Sequence, residues 1–363
     1  MTTFRRLGRL LALALAFATT TASAADRRCL TECTPRIGIV SAFGAEADIL
    51  LAQTRAKRVH TISGKTFTTG VLRGNRVVIV LSGVSMINST LVTQQMLDHF
   101  RIERLLMSGI AGGVDPANRV GDVTVPDRWA MPMEVFWNSG SALPSPCGTP
   151  LDLSCLGLQL ATGPDGQPLP PFVLEGPSGP VETGLYMRRN HVVNASTGPK
   201  GAWYFDYPVD PEMLAVARSL SPPLERCGPK ARGADGVVDE KLCVRETPRL
   251  KVGGRGVSAT VFLANAQYRE YLHRVLQAQT FEMETAALAH VAHANGVPYL
   301  AFRSLSDLAG GEGFDADVGA LFASGLAEAN EAAVTLAFLE AWRQRPAGTS
   351  RRAEGSNRPG TPR

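Results

Sequence analysis

Short apolar runs alternate with segments of helical apolar spacing along most of the chain. "RIGIV" at 36–40 predicts a short buried strand, and apolar positions at helical spacing follow from Ala45. Residues 59–84 contain three β-type runs, and "RGN" at 73–75 predicts a hairpin turn between the last two. Helical spacing returns over 86–99. This part of the chain therefore predicts strands and helices in alternation.

The same alternation continues to the C-terminal part. Helices are predicted after Asp210, as the N-cap with Pro211 at the first helical position, from about Asn265, and from about Val318 to Trp342. Strands are predicted at 104–113, at 120–132, at 256–264, in a short run before "EMET" and in the run that ends at "RSLSD". The pattern predicts an α/β fold: a single domain with a central mixed, mostly parallel twisted sheet flanked by helices.

Two segments interrupt the alternation. Residues 139–206 are rich in Gly, Pro, Ser and Asn and are too long for an ordinary connection, so we interpret them as an insertion. A second loop-rich insertion covers about 222–248. The span 36–342 is long enough for one large core, and one domain with two insertions fits it better than two domains.

Both ends of the chain are expected to lie outside this domain. Residues 1–24 combine three arginines, the apolar run "LLALALAFA" and the small residues "TASA". This order predicts a secretory signal peptide that is cleaved after Ala24, and hence a periplasmic or secreted protein. No other run approaches the ~20 apolar residues that span a bilayer, so we expect no membrane association after cleavage. The polar residues 346–363 predict a solvated tail.

The two ends also carry the positive charge of the chain. The formal net charge is +4, to which residues 1–24 contribute three arginines and residues 346–363 contribute four arginines and one glutamate, so the remainder carries −2. The sequence pI of 8.8 is therefore no sign of a nucleic-acid-binding protein.

Six cysteines in an exported chain predict disulfides rather than free thiols. We favour local pairs, Cys147 with Cys155 and Cys227 with Cys243, each of which would close a polar insertion. Neither zinc-like spacing nor a catalytic cysteine setting occurs.

Candidate functional residues lie at the ends of the predicted strands, where ligands bind in open α/β sheets. Taken alone, each has a structural explanation: glycines form turns, glutamates are favourable anions at a helix N-terminus, and an aspartate can cap a turn. Five strand ends that supply polar groups to one rim favour a shared site. The candidates are Glu46, Ser82, Gly83, the glycine-rich segment 108–113, Phe262, Glu282, Glu284, Ser306 and Asp307.

Four blocks of sequence resemble the nucleoside phosphorylase/nucleosidase superfamily, and most closely its 5′-methylthioadenosine/S-adenosylhomocysteine nucleosidase branch. They lie in order within 36–138 and 249–342, and "EMET" followed by "RSLSD" is the most specific pair of motifs. Ser85 stands where the nucleosidases usually carry glycine, and "EMET" replaces their "EMEA" or "EMEG". The blocks are "IGIVSAFGAEADIL", "SGVSMINSTLVTQQML", "LLMSGIAGGVDPANRVGDVTVPD" and "FEMETAALAHVAHANGVPYLAFRSLSDLAG".

The resemblance implies cleavage of the N-glycosidic bond of a purine nucleoside without a cofactor. Asp307, oriented by Ser306, would protonate N7 of the departing purine, which requires a raised pKa of its carboxyl group. Glu284 would accept hydrogen bonds from the ribose hydroxyls and stabilise the cationic sugar, with Met283 packed under it. Phe262 would stack on the purine.

The resemblance also implies a nucleophile on the opposite face of the sugar. Glu46, assisted by Ser82 and Arg303, would position and deprotonate a water molecule, whereas a phosphorylase would bind phosphate there. A surface position on a helix is the structural alternative for Glu46. Two other functions stay open: phosphate-dependent phosphorolysis, and a non-catalytic nucleoside-binding or storage protein. Family members are usually dimers or hexamers, so we expect a homo-oligomer.

His290 and His293 are spaced i, i+3 on a predicted helix. No third ligand is evident, so we interpret them as helix-packing residues and predict no metal site.

Overall fold

The computed structural model describes residues 29–133, 189–310 and 324–345 in full, and between 134 and 188 it describes only the backbone of five short strands. The signal peptide, the Cys147–Cys155 pair, residues 318–323 of the last predicted helix and the tail at 346–363 lie outside these residues. Those features stay predictions.

Nineteen strands occur in the part of the chain that the structure describes. They are β1 (Glu32–Ser41), β2 (Arg55–Ile62), β3 (Lys65–Leu72), β4 (Asn75–Leu81), β5 (Phe100–Gly113), β6 (Val123–Val125), β7 (Arg128–Ala130), β8 (Val135–Trp137), β9 (Gln159–Leu160), β10 (Phe172–Gly176), β11 (Gly179–Thr183), β12 (Leu185–Met187), β13 (Asn190–Val192), β14 (Ala202–Tyr204), β15 (Asp206–Pro208), β16 (Leu250–Val252), β17 (Arg255–Ser258), β18 (Ala278–Glu282) and β19 (Tyr299–Asp307).

Two helices begin where the sequence predicts them to begin, each with a side-chain N-cap. Asp210 accepts a hydrogen bond from the backbone N–H of Met213 at 2.8 Å, so the predicted N-cap is confirmed. Asn265, near which a helix is predicted to begin, accepts a hydrogen bond from the backbone N–H of Tyr268 at 2.8 Å and is the N-cap of that helix. The helices of the described residues are α1 (Gly44–Gln53), α2 (Met86–His99), α3 (Pro211–Arg218), α4 (Ala266–Leu276), α5 (Thr285–Asn295) and α6 (Leu326–Gln344).

Twelve of the strands form one mixed sheet. The order across it is β15, β7, β17, β18, β5, β1, β4, β3 and β2, while β19 pairs with β5 and β6, and β6 pairs with β16. Because β1 and β19 both lie parallel to β5, their carboxyl ends meet at one edge of the sheet. β3 lies antiparallel to β2 and β4. The predicted α/β domain with a mixed sheet is confirmed.

Helices cover both faces of the sheet at its centre. α1 packs on α6, and α2 packs on α5. All nine residues of β19 are buried, as expected for a central strand with both faces covered. The strand and helix side chains share a core that includes Ile39, Leu106, Phe302 and Phe338.

Two predicted strands differ from the observed ones. The strand predicted at 120–132 is divided into β6 and β7, because Pro126 between them has no N–H for a sheet hydrogen bond. The strand predicted at 256–264 ends at Ser258, where its partner β18 also ends at Glu282. Phe262 therefore lies in the loop that follows β17.

The two insertions contain more structure than the sequence pattern indicates. β9 to β15 all begin within the first, so it is not only a loop. In the second, Cys227 and Cys243 form the predicted disulfide, and a further disulfide joins Cys29 to Cys33.

His290 and His293 project from α5 toward β14 and β15. The ring of His290 stacks on Tyr207 with centroids 5.1 Å apart, and the ring of His293 packs edge-on against Tyr204 at 4.4 Å. Both contacts agree with a packing role. Within the described ranges, no helix is long and apolar enough to cross a membrane.

Candidate active site

A pocket of about 650 Å³, a volume that includes open solvent at its mouth, lies at the carboxyl ends of the central strands. Its walls come from the turn between β1 and α1, the end of β5, the loop after β17, the β18–α5 turn and the end of β19. The predicted residues that line it are Glu46, Phe262, Glu282, Met283, Glu284, Ser306 and Asp307. Residues far apart in the chain thus converge on one site, as the strand-end argument requires.

Asp307 ends β19 and faces the pocket while 6 % exposed. Its Oδ2 accepts a hydrogen bond from Ser306 Oγ at 2.8 Å, and its Oδ1 accepts one from the backbone N–H of Ala309 at 2.6 Å. Ser306 thereby orients the carboxyl group. A fixed, nearly buried carboxyl group at the pocket wall has the placement that a proton donor to a bound base needs.

Glu46 lies on the first turn of α1 and is 2 % exposed, so it is not a surface helix residue. Its Oε2 accepts hydrogen bonds from the N–H groups of Ala42 and Phe43 at 2.5 and 3.3 Å, and its Oε1 accepts one from Ile110 at 2.9 Å. Burial raises the pKa of Glu46 above its ordinary value, while Arg303 and the three N–H groups oppose that shift. The carboxylate is thus held by three backbone N–H groups, and its raised pKa makes it a stronger base than an exposed glutamate.

Arg303 on β19 is fully buried and lies behind the pocket, among three glutamates. Its Nη1 lies 3.7 Å from Glu46 Oε1, and its Nη2 contacts Glu282 directly and Glu284 at 3.5 Å. It also donates to Thr285 Oγ1 at 2.9 and 3.1 Å. The guanidinium group of Arg303 therefore pairs with carboxylates from α1, β18 and the β18–α5 turn.

Glu282 and Glu284 have different environments although one residue separates them. Glu282 accepts hydrogen bonds from the backbone N–H groups of Glu284 and Thr285 at 2.9 and 3.0 Å, and from Ser258 Oγ. It therefore caps α5 and pairs with Arg303, as the structural explanation of the sequence anticipates. Burial and the nearby charge of Glu282 raise the pKa of Glu284 to about 8.

Ser85 and Gly83 shape the loop that reaches Glu284. The Ser85 N–H donates to Glu284 Oε1 at 2.8 Å, with Ser85 at φ 104°, a conformation that favours glycine. Gly83 has φ 85° and donates its N–H to the Ala42 carbonyl oxygen at 2.9 Å. The loop thus joins the Glu46 side of the pocket to the Glu284 side.

Ser82 lies beside this loop but does not contact Glu46 in the structure. Its hydroxyl donates to the carbonyl oxygens of Gly83 at 2.8 Å and Ser41 at 3.4 Å. Its assistance to the water stays a prediction. Phe262 is 66 % exposed at the pocket mouth, where an aromatic ring offers an apolar face to a flat ligand.

Several residues of the site have no recognisable signal in the sequence. Ser258 Oγ donates to Glu282 and accepts from the N–H of Ala286 at 2.8 Å, and Thr285 bonds Arg303. The N–H of Ile110 supports Glu46 from another strand. Serine, threonine and backbone groups are too common for spacing alone to single them out.

Comparisons with known proteins give a consistent family. The sequence profile of the phosphorylase superfamily matches residues 36–158 and 179–340. A 5′-methylthioadenosine/S-adenosylhomocysteine nucleosidase of Pseudoalteromonas translucida is 38 % identical over 24 % of this chain, a stretch that spans only 38 % of that relative. The corresponding protein of Halalkalibacterium halodurans is 24 % identical over 76 % of this chain and 87 % of its own length. The S. pneumoniae nucleosidase structure with a transition-state inhibitor superposes with a TM-score of 0.54 at 21 % identity, covering 85 % of this chain and 100 % of that one, which supports the fold.

Proposed function

The chain belongs to the phosphorylase superfamily, and we propose that it hydrolyses the N-glycosidic bond of adenosine-type nucleosides to free base and free sugar. One observation carries the proposal: a rigidly held glutamate, Glu46, and a nearly buried aspartate, Asp307, both line a single pocket. A base for water and an acid for the leaving group are the two groups that this hydrolysis needs.

The proposed reaction assigns a step to each group. Asp307 donates a proton to N7 of the purine, so that the C1′–N9 bond breaks and its electron pair stays with the base. The sugar becomes cationic, and Glu284 and Met283 hold it. Water, deprotonated by Glu46, adds to C1′ from the other face. The reaction, written in this way, needs no cofactor.

Hydrolysis is favoured over phosphorolysis by the charges of the pocket. Phosphate is anionic and needs cations and hydrogen-bond donors. The described residues that line the pocket include no lysine or arginine, and Arg303 behind it already faces three glutamates. The carboxylate of Glu46 would repel phosphate from the position where it binds water.

An apolar mouth supports nucleosides with an uncharged, apolar 5′ group of the methylthio type. Val84 and Phe262 are 48 % and 66 % exposed and line the pocket, while Ile87 and Leu91 continue the apolar surface along α2 at 74 % and 51 % exposure.

An exposed apolar patch of this kind marks an interaction surface. The proposal includes a homo-oligomer in which a second copy covers it, and export of the mature chain.

The test uses purified mature protein with adenosine, inosine, methylthioadenosine and adenosylhomocysteine, each with and without phosphate. Chromatography would identify the base and the sugar product. Base release without phosphate, giving free sugar, is the expected result. Release only with phosphate, giving a sugar 1-phosphate, would establish the phosphorylase, and no release from folded protein would favour a binding or storage role.

Oligomer and export are tested separately. Light scattering of the wild type should give a multiple of the monomer mass, and the Ile87→Glu variant should give a lower mass. N-terminal sequencing of the exported protein should give a sequence that begins after Ala24. A monomeric wild type, or an uncleaved chain retained in the cell, would contradict these two parts.

A further inference from the structure

Glu331 on α6 is a fully buried carboxyl group that the proposed reaction does not use. Its Oε1 accepts hydrogen bonds from Ser108 Oγ and from Thr335 Oγ1, the latter at 2.9 Å. Its Oε2 is buried and has no hydrogen-bond partner among the described residues. A buried carboxyl with one unpartnered oxygen is costly, so its position calls for a physical explanation.

Ser108, which Glu331 holds, joins the two backbone segments that bind Glu46. The carbonyl oxygen of Ser108 accepts a hydrogen bond from Ser41 Oγ at 2.8 Å. The two residues that follow Ser41 donate their N–H groups to Oε2 of Glu46. Ile110, two residues after Ser108, donates its N–H to Oε1 at 2.9 Å. The Ser41–Ser108 hydrogen bond thus links the two backbone segments that supply all three N–H donors to Glu46.

The surroundings of Glu331 favour the neutral form of its carboxyl group. Burial raises the pKa of Glu331 well above its ordinary value, and the charge of Glu46 raises it further, against the opposing effect of Arg303. No salt bridge to Glu331 occurs within the described ranges, whereas Arg303 pairs with Glu46, Glu282 and Glu284. An unpartnered O–H at Oε2 costs less than an unpartnered negative charge there.

We propose that Glu331 is a positioning residue: through Ser108 it fixes the backbone N–H groups that aim Glu46 at the reacting water. The inference rests on the proposed hydrolysis and adds to it a residue from α6. A neutral carboxyl group is suited to this place because it binds Ser108 without adding a second negative charge near Glu46.

The test compares Glu331→Ala with Glu331→Gln. An amide keeps the shape, the acceptor and the neutral charge, so Gln should retain kcat within about twofold and leave the acid limb of the pH profile in place. Ala should lower kcat by about 10- to 100-fold, since small misplacement of a catalytic group has effects of this size, while KM stays within about twofold. In Ala, weakened N–H contacts should also move the acid limb to higher pH.

Glu328→Ala is the matched control. Glu328 lies on the same helix, is 6 % exposed and also has a buried Oε2 without a partner in the described part of the chain. Burial raises the pKa of Glu328 as well. It is not bonded to Ser108, so its loss should leave kcat and the acid limb unchanged. Equal effects of Glu331→Ala and Glu328→Ala, or a kcat for Glu331→Gln as low as that for Ala, would overturn the proposal.

Thermal unfolding tests the contact between Glu331 and Ser108 independently of the proposed hydrolysis. A wild type that releases no base would refute the hydrolysis proposal without bearing on Glu331. The contact would then be tested by Ser108→Ala and Glu331→Ala, whose reductions in Tm should be less than additive in the double variant. The pKa of Glu331 is raised in the folded state, so folding is stabilised by its proton at low pH and this stabilisation is lost as pH rises. The Tm of the wild type should therefore fall relative to that of Glu331→Gln between pH 5 and 8. Additive effects, or a pH-independent difference, would show that Glu331 does not hold Ser108 as a neutral acid.

Discussion

Arg303 Nη1 lies 3.7 Å from Oε1 of Glu46, and both side chains are buried, Glu46 at the pocket wall and Arg303 behind it. The guanidinium favours the ionised form of Glu46, while burial favours its protonated form. Burial is the larger of the two effects, so the pKa of Glu46 lies above its ordinary value and its carboxylate is a stronger base than that of an exposed glutamate.

Asp307→Asn should lower kcat by at least about 100-fold, because an amide cannot protonate the purine. Binding of nucleoside should persist, since Asn can keep the contacts to Ser306 and Ala309. Single-turnover base release and calorimetric binding would measure the two effects. Ser306→Ala, which removes only the orienting hydroxyl, is the control with a smaller expected loss, and full activity in Asp307→Asn would refute the proposed acid.

Glu46→Gln should reduce hydrolysis by about 100-fold or more, because the water loses its base. In the wild type, activity should rise with pH as Glu46 loses its proton. Since burial raises the pKa of Glu46 above 4.5, this acid limb should lie above pH 4.5. The profile of kcat from pH 4 to 8 would measure it. An unchanged acid limb in the variant would assign the limb to another group.

Arg303→Met should lower the free energy of unfolding by about 3–5 kcal/mol, because three buried glutamates lose their shared cation. Urea unfolding would measure the change. Arg343→Met, at an exposed arginine of α6, is the control and should be nearly neutral. Adding Glu282→Gln to Arg303→Met should recover part of the loss, and no recovery would mean that charge burial is not its cause.

Stability should depend on pH through Glu284. The pKa of Glu284 is about 8 in the folded protein and 4.5 for an ordinary glutamate, so the folded state binds the extra proton between these two pH values. The stabilisation from this group is complete below about pH 4.5 and is lost as pH rises through 8. The Tm of the wild type should therefore fall relative to Glu284→Gln between pH 5 and 9. A difference in Tm between the two proteins that does not change with pH would show that Glu284 does not bind this proton.

The boundaries of several elements were predictable because they depend on local chemistry. The cap at Asp210, the start of a helix near Asn265 and the turn at 73–75 depend on a few neighbouring residues, so the sequence alone predicts them correctly. The end of β17 was not predictable, because it depends on where β18 stops pairing. A strand's length is set by its neighbour, which may lie far along the chain.

The sequence by itself determined the α/β class, the order of strands and helices outside the first insertion, and the residue types that meet at the strand ends. Only the tertiary structure decided which of those groups face the pocket and which lie behind it. Glu46 and Asp307 line the pocket, whereas Arg303 is buried among three glutamates and Ser82 bonds backbone oxygens. The physical reason is that a side chain's direction, burial and charge partners depend on contacts across strands and helices, which spacing along one chain does not encode.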